Sequence, residues 1–200
     1  MRGLRISPAL VVLLSLATPA LAQSDVNYHP IDAKGRIAWT VDGTIGPRSL
    51  FAVGPLATAW QTAWNVPEEW GRTWSGVGKR YLEREADVAI SNTMEAGLGA
   101  VWGEEPRYIR VGRGPFRARL GHAAKTVFLA ERPDGHHAPA WGRYAANTVN
   151  NIIENTWLPP SMTTPGQTTF RSLSGFAGRF AGNLWDEFWP DVQRRLRAKL

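Results

Sequence analysis

The sequence predicts an all-α protein: a single bundle of five or six close-packed helices behind an irregular N-terminal segment. Three observations carry that expectation. From Ser49 onward the apolar side chains recur at helical spacing. Four Trp–Pro closures end helical patterns: Trp64 before Pro67, Trp102 before Pro106, Trp157 before Pro159 and Trp189 before Pro190. The residue preceding a proline is pushed out of the helical region, so each closure marks a helix end. Gly and Ala gather on helix faces, which close helix approach permits.

Residues 1–22 read as a cleaved export signal. Arg2 and Arg5 form a basic start, Ile6 to Leu16 a short apolar core, and Ala20-Leu21-Ala22 a small-x-small cleavage site. The apolar run is shorter than the ~20 residues a membrane span needs. The chain has no Cys, so neither a disulfide nor a lipidated N-terminal Cys is expected. An exported chain of this kind is held by its core or by a membrane. Residues 23–48 read as irregular, with "RIAWTVDG" as a short strand entering an Asp42-Gly43 turn.

The helical domain spans 49–200. In "SLFAVGPLATAWQTAWNV" Leu56, Trp60 and Trp64 stand four apart, and Pro55 kinks or ends the first turn. Residues 49–67 carry no charge and approach span length, but Gly54, Pro55, Gln61 and Asn65 argue against a span. The second helix, 75–102, places Leu82, Ala86, Ala89, Ile90, Thr93, Gly97 and Val101 on one face. The third covers 115–131, with Pro115 as a favoured first residue and Leu120, Val127 and Phe128 inward. "RPDGHHAP" is a turn. A fourth helix covers 139–156, a fifth 168–188, and a short basic, amphipathic tail helix follows Pro190.

The ten Trp suit surfaces where one edge is apolar and the other wet. At helix ends they form either an aromatic belt in a membrane-associated bundle or caps over a soluble core. Asn147, Asn150, Asn151 and Asn155 form a stripe that is either solvated or bonded across to a neighbouring helix.

The peculiar stretch is "EEPRYIRVGRGPFRAR", 104–119. The net charge of +6 falls to +4 once Arg2 and Arg5 leave with the signal, and the surplus is local. Pro106 to Ala130 holds no acid but carries Arg107, Arg110, Arg113, Arg117, Arg119 and Lys125. These five arginines are candidate anion binders, since guanidinium forks grip phosphate or carboxylate. The competing reading is a helix corner. There Glu104 or Glu105 pairs with Arg107 or Arg110, and Tyr108 turns inward.

"GEEPRYIR", "NNIIENTWLPPS" and "GFAGRFAGNLWDEFWPDV" together resemble a family of exported bacterial helical proteins of uncharacterised activity. Those proteins carry an acid-Pro-Arg-Tyr-aromatic block after a Gly/Ala-rich helix, then a Ser/Asn-rich helix, then a Gly-rich last helix. The likeness covers roughly 70–190. Ile109 stands where an aromatic is usual, and Trp157-Leu158 replaces a Tyr pair. The resemblance implies the helical architecture and no catalytic residue.

Other chemistry is thin. Gly112-x-Gly114 lacks the third glycine and the strand of a dinucleotide fingerprint. Asp134, His136 and His137 have no second ligand pair at metal spacing, so no metal and no cofactor are expected. Glu83 and Asp87 beside Arg80 and Arg84 read as solvated ion pairs. Glu95 stands among small and apolar residues; buried, it needs a partner such as Arg143 or Arg179. The export signal excludes nucleic acid.

The expected role is that of an exported protein of the periplasm or cell envelope, structural or interacting rather than catalytic. It would associate with a membrane surface through segment 107–125, with anionic lipid or an envelope protein as partner. The alternative is a helical integral membrane protein. The third reading is an enzyme that uses Glu95 and the arginines on a phosphorylated or acidic substrate.

Overall fold

The computed structural model describes residues 28–198. The export signal expected over 1–22 lies outside the described residues. Among them the chain forms six α-helices and one two-stranded hairpin, an all-α bundle.

Helix α1 (Ala33–Ile45) begins where the Asp32 carboxylate accepts the Gly35 N–H at 2.7 Å. The expected strand over "RIAWTVDG" is therefore helix. Its alternation hides a second periodicity, Ile37, Val41 and Ile45 at spacing four. Arg36 ties α1 to the chain near residues 96–104 by donating to the Ala96 carbonyl at 3.3 Å and the Glu104 carbonyl at 2.7 Å. A π-helical turn, Ser49–Val53, leads into α2 (Gly54–Trp64), with Pro55 in its first turn. Asn65 ends α2 in the left-handed region, at φ 53°.

Helix α3 (Trp74–Trp102) starts on a Thr73 cap and stops at Gly103, φ 66°, a conformation natural to glycine. Helix α4 (Phe116–Phe128) follows the extended segment 104–115, with Pro115 just before its first residue. Strands β1 (Leu129–Glu131) and β2 (His137–Pro139) pair antiparallel, with Ala130 opposite Ala138. They flank the expected turn and shorten α4 at its end. Helix α5 is Trp141–Glu154, and α6 runs from Pro165 to Arg197.

Pro190 lies inside α6, so the expected separate tail helix is its continuation. Beside that proline the Glu187 carbonyl accepts Arg110 Nε at 2.8 Å and Arg119 Nη2 at 2.7 Å. Two guanidiniums thus hold the carbonyl adjoining that of Asp186, the one whose helical donor the proline removes. Three of the four Trp–Pro closures do mark ends: Trp64 and Trp102 are the last residues of α2 and α3, and Trp157 follows α5.

The packing is inverted relative to a soluble bundle. The face of α3 shared by Leu82, Thr93, Gly97 and Val101 points outward, with Leu82 70% and Val101 80% exposed. Leu56, Trp60 and Trp64 on α2, Ile37, Val41 and Ile45 on α1, and Phe170 and Leu173 on α6 are also exposed. On α4, Val127 is buried and Leu120 half-buried, but Phe128 turns out. Helix α5 shows the inversion most plainly: Val149, Ile152 and Ile153 face out, while Asn150, Asn151 and Glu154 are buried. Glu95, Glu104, Glu105, Asn183 and Glu187 are buried as well, and Arg80 is 0% exposed.

The apolar core is correspondingly small, chiefly Ala96, Ala123, Val127, Ala130, Ala140, Ala146 and Leu158. No helix among the described residues is long and apolar enough to cross a membrane.

Helices α3 and α5 cross most closely at Gly99 and Gly142. A Cβ on Gly142 would stand 2.9 Å from the Gly99 nitrogen and 2.9 Å from Glu104 Oε2. Gly178 and Gly182 on α6 face open space instead. Gly142→Ala should therefore destabilise the fold by about 1–3 kcal/mol through overpacking. Gly178→Ala should be neutral or stabilising by up to about 1 kcal/mol. Thermal unfolding followed by circular dichroism separates the two, and equal effects would contradict the crossing.

Candidate functional site

The buried polar groups form successive layers along the bundle. At one end Arg80 fills the turn between α2 and α3. It donates to the carbonyls of Val66 at 2.8 Å, Pro67 at 2.8 Å and Gly71 at 2.6 Å. Arg84 reaches Ser49 Oγ at 2.7 Å and Glu85 at 2.6 Å. The expected solvated pairs of Arg80 and Arg84 with Glu83 and Asp87 are thus replaced by contacts that face inward.

The next layer joins α3, α5 and α6. The Asn150 amide donates to Asp87 Oδ1 at 2.5 Å and to Glu154 Oε1 at 2.8 Å. Arg171 donates to Asn151 Oδ1 at 3.1 Å and Asn155 Oδ1 at 2.7 Å, and stands 3.5 Å from Glu154. Asn147 donates to the Ser172 carbonyl at 2.9 Å. The Asn stripe therefore bonds across to neighbouring helices, the second of the two readings its sequence left open. Asp87, Glu154 and Arg171 are the members that sequence reasoning missed. Their one local signal is the spacing of Asn150 and Glu154, one helical turn apart on the stripe.

The third layer is built on Glu95, 6% exposed. Its Oε1 accepts Arg143 Nε at 2.9 Å and Arg179 Nη2 at 2.8 Å, and its Oε2 accepts Arg179 Nη1 at 3.0 Å. Both partners anticipated for this acid are present. They reach on to further acceptors: Arg143 to the carbonyls of Thr126 and Val127 at 2.6 and 3.1 Å, Arg179 to the Pro106 carbonyl at 2.5 Å. One carboxylate thereby links α3, α5 and α6 to the end of α4 and to segment 104–115.

Beside this layer a cavity of 450 Å³ opens between α1, α3, α5 and α6. Arg84, Asp87, Asn92, Asn147, Arg179 and Asn183 give its wall polar groups, and Gly178 and Gly182 leave its floor without side chains. The site is concave and polar, as the enzyme reading requires. Both Glu95 oxygens are already engaged by guanidiniums, however, so this carboxylate has no free oxygen to serve as a base.

The last layer gathers segment 104–119 onto the end of α6. Buried Glu187 accepts Tyr108 Oη at 2.8 Å, the N–H groups of Val111 and Gly112 at 2.9 and 3.0 Å, and Arg119 Nε at 2.5 Å. Asp191 accepts Arg110 and Arg119, each at 2.7 Å, and also Arg194. Arg107 pairs with Glu105 at 2.7 Å.

The five arginines consequently do not converge on a common anion site. Arg107, Arg110 and Arg119 are neutralised by internal acids, because each folds back onto a buried or half-buried carboxylate. Arg113 and Arg117 are exposed and make no ion pair among the described residues. Burial alone would raise the Glu187 carboxyl, but the bonds from Arg119, Tyr108 and the two backbone N–H groups hold it below the usual carboxylate range. Burial and the same carboxylate push the Tyr108 phenol up.

For metals, Asp134 and His136 touch at 2.5 Å on an exposed turn, and no group of three or more potential ligands gathers among the described residues. No family model, curated protein or solved structure matches this chain.

Two expectations follow. Glu95→Gln leaves the buried Arg143 and the half-buried Arg179 without this counter-charge and should cost about 3–5 kcal/mol in denaturant unfolding. A loss below about 1 kcal/mol would show that the triad does not hold the helices. Glu187, depressed in the fold, stabilises it above its unfolded value, and that contribution is lost as pH falls through the lower folded value. Wild type should therefore exceed Glu187→Gln in stability at pH 7. The gap should narrow below about pH 4 in melts recorded across pH.

Proposed function

We propose that this chain is an exported cell-envelope protein of structural or interacting type, whose helices lie with their outer faces in lipid. One observation carries the reading: every helix turns large apolar side chains outward, while along α2, α5 and most of α3 and α6 the charges and amides turn inward. A single protein partner covers one face of a bundle, whereas here all six helices expose apolar side chains. Lipid surrounds a bundle on every side.

The placement of charge supports the same reading. Helix α2 and α5, α3 from Arg80 onward, and α6 as far as Gln193 carry no exposed charged side chain. The exposed charges stand at ends and turns, among them Glu68, Glu69, Arg72, Arg113 and Arg195. Trp64, Trp74, Trp102, Trp141 and Trp157 are exposed at or beside helix ends, where indoles favour the membrane–water boundary. Overall hydropathy is low because it averages an outer face with a polar interior. The membrane surface was the expected partner from segment 107–125; the outward apolar faces now carry that association instead.

Fractionation of the full chain tests this. The protein should stay with the membrane through high-salt and then alkaline-carbonate washes. Leu82→Glu with Phe170→Glu should shift it into the carbonate-soluble fraction, since each places a charge on a lipid face. Release of wild type by salt alone would overturn the reading in favour of charge-held surface binding.

A further inference from the structure

Pairing of Arg110 and Arg119 with Glu187 and Asp191 staples segment 104–119 to α6, and the staple determines what the remaining cations do. Arg113 follows Gly112, whose N–H is bound to Glu187. Arg117 lies between Phe116, packed on Phe188 at 5.2 Å, and Arg119, bound to Asp191. Arg195 and Arg197 stand in the turns just beyond Asp191 on α6. All four are exposed and make no ion pair among the described residues. Arg194 shares Asp191, and no exposed acid lies between Pro106 and Ala130.

The exposed side chains change in character along the length of α6. Phe170 and Leu173 are exposed and aliphatic or aromatic. Trp185 and Trp189 follow, stacked at 4.3 Å, with Phe188 against the exposed Phe116. The free arginines come last, with Val192 and Leu196 exposed among them. Stacked indoles followed by cations is the order of environments from membrane interface to phosphate. The opposite end is balanced: Glu68 and Glu69 stand there with Arg72 and Lys79.

We propose that Arg113, Arg117, Arg195 and Arg197 form a collar for the phosphate headgroups of anionic lipid, seating the α4–α6 end in a negatively charged leaflet. The assignment rests on the lipid reading above and gives it a direction. Its chemistry is that of exposed guanidiniums toward lipid phosphate and is distinct from the buried arginine–carboxylate pairs. The outer arginines face the headgroups because the inner ones fix the loop that carries them.

The test uses the purified full chain in neutral detergent, titrated with short-chain phosphatidylglycerol, short-chain phosphatidylcholine or inorganic phosphate, and read by Trp fluorescence. Phosphatidylglycerol should bind about tenfold more tightly than phosphatidylcholine, and inorganic phosphate should not compete. The variant R113Q/R117Q/R195Q/R197Q should lose that preference, while R72Q/K79Q at the other end should keep it.

Equal binding of the two lipids overturns the collar, as does a preference that survives the quadruple substitution or disappears in R72Q/K79Q. Competition by inorganic phosphate would also overturn it, as a site for the free ion. Because all four residues are exposed, an unchanged circular dichroism spectrum and melting point establish that the variant folds. Carbonate washing separates the two readings: release of wild type defeats the lipid-embedded bundle. A retained wild type without lipid preference defeats the collar alone.

Discussion

The Glu95 carboxylate, gripped by Arg143 and Arg179, is the constraint from which the rest of the structure follows. Two guanidiniums and one carboxylate leave a buried surplus of positive charge. That surplus is met by backbone carbonyls: Thr126 and Val127 for Arg143, Pro106 for Arg179. Each of those carbonyls belongs to a helix end or to the segment between helices, where helical partners are missing. The triad thus completes the hydrogen bonding of the α4 terminus and of the 104–115 segment while it fixes α3, α5 and α6. Removing the carboxylate would leave carbonyls still satisfied but two cations without a counter-charge, and that is the costly half of the exchange.

Four helices of the bundle, α2 to α5, and most of their ends are legible in the sequence, for local reasons. Thr73 and Thr164 cap helices with their own side chains, Gly103 supplies the left-handed stop, and Trp64 and Trp102 close their helices ahead of prolines. The partners of Glu95 are legible too, because a charge among small residues must find an opposite charge. The sense of the faces is not legible. Periodicity shows that Leu82, Thr93, Gly97 and Val101 share a face, but the same spacing serves a face turned toward protein or toward lipid. Pro190 is misread as a helix break for a similar reason. The two arginines that hold the backbone beside it, Arg110 and Arg119 on the Glu187 carbonyl, come from 77 and 68 residues earlier in the chain.

The arginine segment shows how composition overstates an electrostatic site. Five cations in an acid-free run read as a basic patch, yet the acids that neutralise three of them lie on α6, at Glu187 and Asp191, or just upstream at Glu105. Local charge density in sequence therefore describes the corner poorly. What distinguishes the outer arginines is position relative to the staple: Arg113 and Arg117 occupy the places from which Glu187 and Asp191 are not approached.

An interior of amides and ion pairs is a poor source of folding energy in water, where a hydrophobic core of similar volume does as well or better. In lipid the balance differs. Acyl chains are as apolar as leucine, so burying apolar side chains between helices gives little drive for association. Interhelical hydrogen bonds and close backbone approach must do that work instead. The bundle has both: the Asn150, Arg171 and Glu95 layers connect three helices, and the Gly99–Gly142 crossing brings two backbones together. Gly178 and Gly182 serve the opposite end, keeping the 450 Å³ cavity open where side chains would close it. On the proposed lipid reading, a polar interior, small residues at one crossing and apolar outer faces are three consequences of a single environment. A charge placed on Leu82 tests the environment, whereas a methyl placed on Gly142 tests the packing.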